Sequence, residues 1–269
     1  MPIKFQSKPG LVIYLTAGDP SLEATHAIAL EAIDAGADVI ELGVPFSDPL
    51  ADGPVIQRAS ERALARGTTL KDVLVLAKQI RTARPQAGLV IFTYLNPILR
   101  YGLAKFADDA KAAGADGVLV TDIIVEEASD ATSNLLAELD RVSLAPIFLA
   151  APTSPDDRLE AIAAHSKGFI YAISRTGITG KQQSLTGDAQ SLVARIRRWS
   201  TLPVAVGFGI SNATHVAQVA EFADAAVIGS AIVELIERSA PEDKSGHAQA
   251  AAVARFIKGL RQPEAALTR

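Results

Sequence analysis

Val39-Ile-Glu-Leu-Gly-Val-Pro-Phe-Ser-Asp-Pro-Leu-Ala-Asp-Gly-Pro54 changes character within its first few residues. Val39 to Leu42 is a short apolar run suited to a buried strand, interrupted only by Glu41. The remainder, from Gly43 on, suits neither helix nor strand. Pro45, Pro49 and Pro54 each fix φ and remove an N–H donor, while Gly43 and Gly53 supply turn conformations. Three carboxylates, Glu41, Asp48 and Asp52, lie in this rigid, mostly apolar segment, where a solvated linker would carry Ser, Lys and Gln. The stretch reads as a strand with a stiff exit loop that holds acids beside hydrophobic surface.

The same unit of apolar strand, Gly- or Asp-punctuated exit and helix recurs along the chain. Leu11 to Ala17 is a first strand, stopped by Gly18-Asp-Pro20, and Ser21 caps an Ala-rich helix running to Gly36. After the Glu41 to Pro54 stretch come a short helix near Gln57 to Ala65 and an amphipathic one from Leu70 to Arg84. Leu89 to Tyr94 is a third strand, and Asn96-Pro97 opens a helix to about Ala113. Gly117 to Thr121 is a fourth strand, followed by a helix turning Ala128, Thr132, Leu135, Leu136 and Leu139 inward. Ala145 to Ala150 is a fifth and Phe169 to Ile173 a sixth, which leads into a polar loop from Ser174 to Gly187. Leu192, Val193, Ile196 and Trp199 mark the next helix, and Val204 to Val206 and Ala225 to Ile228 are the last strands. A final helix buries Val253, Phe256, Ile257 and Leu260, and the chain frays after about residue 262.

Continuous apolar strands separated by helices mean a parallel sheet covered on both faces. Eight units close into an α/β fold, a single-domain (β/α)8 TIM barrel over residues 1–269. The alternative is a doubly wound open sheet, with fewer strands and a glycine fingerprint after the first one; Gly18-Asp-Pro20 is not that fingerprint.

Composition narrows the function classes. Hydrophobic residues make up 49% of the 269 and charged residues 21%, enough apolar material for a substantial core. A net charge of -4 without a basic block argues against nucleic acid or an anionic membrane as partner. With no cysteine, a thiolate metal site and a Cys nucleophile are excluded, and four scattered histidines give no metal-ligand spacing. No apolar leader opens the sequence and no run reaches membrane-spanning length, so a cytoplasmic location is expected.

In such a barrel the active site lies at the C-terminal ends of the strands. Gly207-Phe-Gly-Ile-Ser211 and Gly229-Ser230 come after the last two strands and precede helices, where bare N–H groups and helix N-termini suit a phosphate; ordinary turn glycines are the alternative. Glu41 ends a strand among apolar neighbours, and burial would raise its pKa toward proton-transfer range. Asp52, in the loop, can remain ionised, so the two acids can divide acid/base and electrostatic roles. The competing readings are a Glu41 ion pair with a barrel Lys or Arg, and Asp48 and Asp52 as turn formers, which suits Asp48. Aromatics are only 5% of the chain, yet Tyr14, Phe92, Tyr94, Tyr171 and Phe208 fall at strand ends, suggesting a flat apolar ligand. Core packing serves equally for Tyr14 and Phe92. The Ser174 to Gly187 loop reads as a lid, or simply as a long loop.

These motifs together resemble the tryptophan synthase α chain family, over essentially the whole chain. The resemblance is carried by Tyr14-Leu-Thr-Ala-Gly-Asp-Pro20, Glu41 to Gln57, Thr93-Tyr-Leu-Asn-Pro97, Ala151-Pro-Thr-Ser-Pro155, Ser174-Arg-Thr-Gly-Ile-Thr-Gly180, Gly207 to Ser211 and Ile228-Gly-Ser230. It implies a lyase of tryptophan biosynthesis that cleaves indole-3-glycerol phosphate to indole and glyceraldehyde 3-phosphate. Glu41 would be the acid/base and Asp52 the group that holds the indole N–H. Tyr171, Tyr94 and Phe208 would border the ring, and Thr179 would bond Asp52 when the lid closes. Backbone N–H groups of Gly180, Gly209, Gly229 and Ser230 would hold the phosphate. No metal or cofactor is implied for this chain; pyridoxal phosphate would belong to a β chain partner in an α2β2 assembly. Two departures stand out: about ten residues precede the first strand where the family has a longer segment, and Asp122-Ile-Ile124 replaces Asp-x-Pro near the β chain contact. A stand-alone indole-releasing lyase, another phosphate-binding barrel and a non-catalytic binding subunit are the competing functions.

Overall fold

Residue parity along β1 (Gly10–Thr16) separates two cores. Leu11, Ile13 and Leu15 pack outward among the helices, while Val12 faces inward with one residue from each of several other strands. That alternation is the period-2 geometry of a strand applied to a sheet buried on both sides. The computed structural model describes residues 3–125, 130–173, 185–207, 209–239 and 246–261.

The first half runs β1, α1 (Leu22–Asp34), β2 (Val39–Gly43), α2 (Pro54–Ala65), α3 (Leu70–Ala83), β3 (Gly88–Thr93), α4 (Leu95–Tyr101), α5 (Leu103–Ala112) and β4 (Gly117–Val120). The second runs α6 (Asp130–Arg141), β5 (Ala145–Ile147), β6 (Leu149–Ala150), α7 (Asp156–His165), β7 (Ile170–Ile173), α8 (Leu185–Ile196), β8 (Val204–Gly207), α9 (Ala213–Ala220), β9 (Ala225–Ile228), α10 (Ser230–Arg238) and α11 (His247–Arg261). The strands lie side by side as β5-β4-β3-β2-β1-β9-β8-β7-β6, and every pairing is parallel. The two ends of that order, β5 and β6, are consecutive in the chain and separated only by Phe148. One stretch therefore pairs with β4 on one side and β7 on the other, which closes the expected eight-stranded α/β TIM barrel.

The single strand expected over Ala145 to Ala150 is broken at Phe148, where its pairing passes from β4, beside Ala145 to Ile147, to β7, beside Leu149 and Ala150. The helix expected from Asn96 to Ala113 is likewise two, α4 and α5, broken at Gly102, whose φ of 95° no L residue adopts easily. α8 starts at Leu185, so the polar loop is shorter than expected; Trp199 lies beyond that helix and is 41% exposed. Helix starts follow their local signals. Ser21 accepts from the Ala24 N–H, and Thr69 and Asp72 form a reciprocal capping box.

The inner core holds Val12, Val39, Val90, Leu119, Ile147, Phe169, Ala205 and Val227, and Ile3 from the N-terminal arm seals its lower end. Around this lower face three aspartates repeat one device. Asp38, Asp116 and Asp224 each precede a strand and accept the N–H of a residue in the neighbouring strand: Leu11 at 2.8 Å, Leu89 at 3.0 Å and Val204 at 2.8 Å. Each also binds an arginine: Arg261 at 3.1 Å, Arg81 at 2.6 Å and Arg197 at 3.1 Å. Asp116 is the most telling, because both it and Arg81 are largely withdrawn from water. Removing one partner of a buried pair leaves the other uncompensated. Asp116→Ala should therefore lower the unfolding free energy by about 3 kcal/mol in urea titration; an unchanged urea midpoint would contradict this role for the barrel floor.

Candidate active site

β2 places Val39 and Glu41 on the barrel interior and Ile40 and Leu42 on the helix side. Glu41 pairs in register with Tyr14 of β1 and Val90 of β3, one step above the layer of Val39. It is 0% exposed, and neither carboxyl oxygen has a hydrogen-bond partner among the described residues. The ion pair with a barrel Lys or Arg is thereby ruled out among those residues. Burial alone pushes the Glu41 carboxyl up to about 8, because an isolated carboxylate in an apolar interior has lost its hydration.

Asp52 occupies the far end of the exit loop and is partly exposed. Tyr94, the N-cap of α4, donates its phenol to Asp52 Oδ2 at 3.0 Å and accepts the Ala51 N–H at 3.0 Å. Gln57 in the first turn of α2 donates Nε2 to the Asp52 carbonyl at 2.8 Å. Burial raises the Asp52 carboxyl to about 6, and the Tyr94 hydrogen bond pulls against that rise. At pH 7 Glu41 is therefore mostly protonated and Asp52 mostly ionised. Asp48 is exposed, accepts from Ser47 Oγ at 2.8 Å and offers its carbonyl to Leu50 N–H at 2.9 Å, so it is the turn former.

Aromatic rings enclose the mouth. Tyr14 and Phe92 meet edge to face with centroids 5.1 Å apart, and Phe46 lies 5.0 Å from Tyr94. Tyr14 and Phe92 flank β2, and the Tyr14 hydroxyl passes directly over Gly43: a Cβ there would fall 2.2 Å from the oxygen. Gly207 gives the same clearance to Tyr171, with a Cβ falling 2.3 Å from that hydroxyl. Both phenols are buried and raised well above the ordinary tyrosine range, first by desolvation and then by nearby carboxylates. Neither glycine stands out in the sequence as a clearance residue, because its Tyr belongs to a neighbouring strand.

On the other side of β1, β9 ends at Ile228, and Gly229 caps α10, which starts at Ser230, with no side-chain hydrogen bond on that cap. A Cβ on Gly229 would lie 3.7 Å from Tyr14 Cβ, so this turn borders the same mouth. Gly209 adopts φ 80° after β8, as a left-handed turn requires. With adjacent strands ~4.8 Å apart, two strand spacings, roughly 10 Å, separate Glu41 from the Gly229 turn. Phe208, Thr179 and Gly180, with the lid expected over Ser174 to Gly187 up to residue 184, lie outside the described residues. No group of three or more His, Cys, Asp or Glu able to hold a metal occurs among the described residues, and none of their helices is long and apolar enough to cross a membrane.

Residues 2–261 match the family model described as tryptophan synthase alpha chain. The chain is 50% identical over 238 residues to the tryptophan synthase alpha chain of Solibacter usitatus, covering 88% of this chain and 87% of that one. It is 47% identical over 260 residues to the Geobacter sulfurreducens alpha chain, covering 97% and 95%. Among solved structures, tryptophan synthase from M. tuberculosis in an aminoacrylate-bound form shares 36% identity at a TM-score of 0.80, covering 94% of both chains. The tryptophan synthase complex from Pyrococcus furiosus shares 35% at 0.81, covering 94% of this chain and 98% of that one.

The buried Glu41 carboxyl has a thermodynamic signature. Glu41 binds its proton more tightly folded, at about 8, than unfolded, near the ordinary 4.5. Between those values the native state holds more protons than the unfolded state, so stability falls as pH rises through that window. Glu41→Gln removes this slope. Its melting temperature should equal the wild-type value near pH 5 and exceed it by pH 9, and parallel curves across that range would sink the assignment of a buried neutral acid.

Proposed function

This chain belongs to the tryptophan synthase alpha chain family, whose reaction cleaves indole-3-glycerol phosphate to indole and glyceraldehyde 3-phosphate, and we propose that Glu41 and Asp52 divide that chemistry between them. Glu41, neutral at the start, gives its proton to the ring carbon that carries the glycerol chain. The positive charge so created spreads to the ring nitrogen, where the Asp52 carboxylate accepts the N–H and stabilises the cation. Glu41, now ionised, removes the proton of the adjacent side-chain hydroxyl. The C–O bond becomes an aldehyde, the carbon–carbon bond breaks with its electrons returning to the ring, and indole leaves. Glu41 ends protonated as it began, so the cycle balances without a cofactor in this chain.

The observation that carries this reading is the contrast between a fully buried Glu41 without partners among the described residues and an Asp52 kept ionised by a tyrosine donor. Tyr171, Tyr94 and Phe208 border the ring in this proposal, and the backbone around Gly180, Gly209, Gly229 and Ser230 takes the phosphate. Thr179 bonds Asp52 with the lid closed. The further step is a β chain partner in an α2β2 assembly, with pyridoxal phosphate held there. Its support is a rim of exposed apolar side chains on successive exit segments, Leu50 at 95%, Leu99 at 45% and Ile124 at 37%, on the face that carries the site.

The direct test is indole release from indole-3-glycerol phosphate, with and without an added β chain. Glu41→Gln and Asp52→Asn should each lower turnover at least about 100-fold while retaining glyceraldehyde 3-phosphate affinity. Near wild-type turnover in either would remove that residue's role, and an absent response to the β chain would leave a stand-alone lyase.

Acid and base limbs follow from the two carboxyls. Activity requires Asp52 ionised and Glu41 protonated, so kcat/KM should be bell-shaped, rising through about 6 and falling through about 8. Tyr94→Phe deletes the hydrogen bond that lowers Asp52, so only the acid limb should move, and toward higher pH. An acid limb that stays in place in that variant would show that Asp52 does not titrate it.

A further inference from the structure

Helices α2 and α10 lie together over the end of β1. Tyr14 of β1, Ala59 of α2 and Val233 of α10 form one buried cluster, with Val55, Ile56 and Phe92 packed against it. Beside this apolar seam runs a polar strap. Glu237, in the last turn of α10, accepts Arg58 Nε at 3.0 Å, Arg58 Nη2 at 2.8 Å and Arg62 Nη1 at 2.6 Å. Arg62 turns its other edge to Asp19 in the β1 exit, Nε to Oδ1 at 2.8 Å and Nη2 to Oδ2 at 2.7 Å. Asp19 is 4% exposed, so the strap is anchored in the protein interior at one end. Hydrogen bonds from Arg58, with the charge of Arg62, hold Glu237 well below the usual carboxylate range, at about 2, and the strap stays charged wherever the enzyme works.

Each strapped helix begins at one end of the site. α2 begins at Pro54, directly after the Asp52 loop, and its Gln57 holds the Asp52 carbonyl. α10 begins at Ser230, directly after the Gly229 turn. Glu237 lies two helical turns beyond Ser230, and a helix over that length transmits position as a rigid body.

We propose that Arg58, Arg62 and Glu237 are positioning residues that fix the spacing between Asp52 and the Gly229–Ser230 turn, and so set which length of phosphorylated side chain the enzyme accepts on an indole ring. This rests on the assignment of Asp52 to the ring and of that turn to the phosphate. None of the three residues touches the substrate. An isolated exposed ion pair adds little to stability, whereas a network in which Glu237 ties α10 to α2 and Arg62 ties α2 to the β1 exit restricts the relative placement of all three, and a small misplacement between two binding ends costs rate.

The test separates the whole substrate from its parts. In Glu237→Gln, kcat/KM for indole-3-glycerol phosphate should fall about tenfold, and discrimination against the homologue with one extra methylene before the phosphate should shrink. Inhibition by indole alone and by glyceraldehyde 3-phosphate alone should change by less than about twofold, since each end remains intact. Arg58→Gln, which leaves the Arg62–Asp19 pair in place, should give a smaller drop in the same direction. An unchanged kcat/KM with unchanged chain-length preference overturns the proposal, as does a loss fully matched by weaker glyceraldehyde 3-phosphate binding. If glyceraldehyde 3-phosphate does not compete with substrate in the wild type, the phosphate assignment itself falls and takes the strap with it.

Discussion

A carboxyl group closed inside an apolar barrel, with no hydrogen-bond partner among the described residues, is the constraint on which the rest of this molecule turns. Ionised, Glu41 would lack both water and a counter-charge from those residues, so the fold tolerates it chiefly as a neutral acid. The surroundings keep it so. Val39 lies one step below it and Val90 beside it, and the Tyr14–Phe92 pair crosses above its strand at Gly43. A side chain at Gly43 would push the Tyr14 ring aside, and one at Gly207 would do the same to Tyr171. The strand ends are thus cut back to backbone where the aromatic walls need room.

The two faces of the barrel treat acids in opposite ways. On the lower face Asp38, Asp116 and Asp224 each take a backbone N–H and an arginine, the arrangement that keeps a carboxylate ionised and joins neighbouring strands. At the mouth Glu41 has neither among the described residues. Paired, stabilising carboxylates thus sit at one end of the strands and the carboxyl proposed for chemistry at the other, as expected of a barrel whose upper loops carry function. The strap of Arg58, Arg62 and Glu237 belongs to the upper face but obeys the logic of the lower one: it pairs its charges and holds elements in place.

Much of this was legible in the residues because strands buried on both sides are written as unbroken apolar runs. The strands fell where Leu11, Val39, Leu89 and Gly117 begin such runs, and Glu41 drew notice as an acid inside one. The features that escaped depend on contacts between distant segments. The strand over Ala145 to Ala150 breaks at Phe148 only because its two halves pair with different neighbours, and Gly102 divides a helix whose apolar pattern continues across it. The Asp-before-strand repeat, Ala37-Asp38, Ala115-Asp116 and Ala223-Asp224, was present in the sequence as a signal, yet its arginines come from three unrelated helices or turns. Glu237 and Arg62 stand 175 positions apart, and no local pattern joins them. Likewise Asp52 was expected to stay ionised simply as a loop residue; in the fold burial raises it too, and what separates it from Glu41 is its shallower position together with a tyrosine from another strand's exit.

That tyrosine adds to a separation that depth of burial begins. Tyr94 has one proton to give. Its oxygen already accepts the Ala51 N–H, an approach that leaves the phenol proton free to turn toward Asp52 Oδ2. In this geometry the hydroxyl serves Asp52 as a donor, and a donor favours the charged form of a carboxyl. Glu41 meets no donor among the described residues, so nothing there offsets its desolvation. Two carboxyls on one face of the barrel thus diverge because one is partly exposed and faces an O–H whose orientation is fixed by a backbone amide, while the other is fully buried and faces no donor among the described residues. The prolines of the loop between them act to the same end. With Pro45, Pro49 and Pro54 limiting the backbone, and Gln57 holding the Asp52 carbonyl, the loop has little freedom to bring Asp52 out of reach of Tyr94, on which its lower pKa depends.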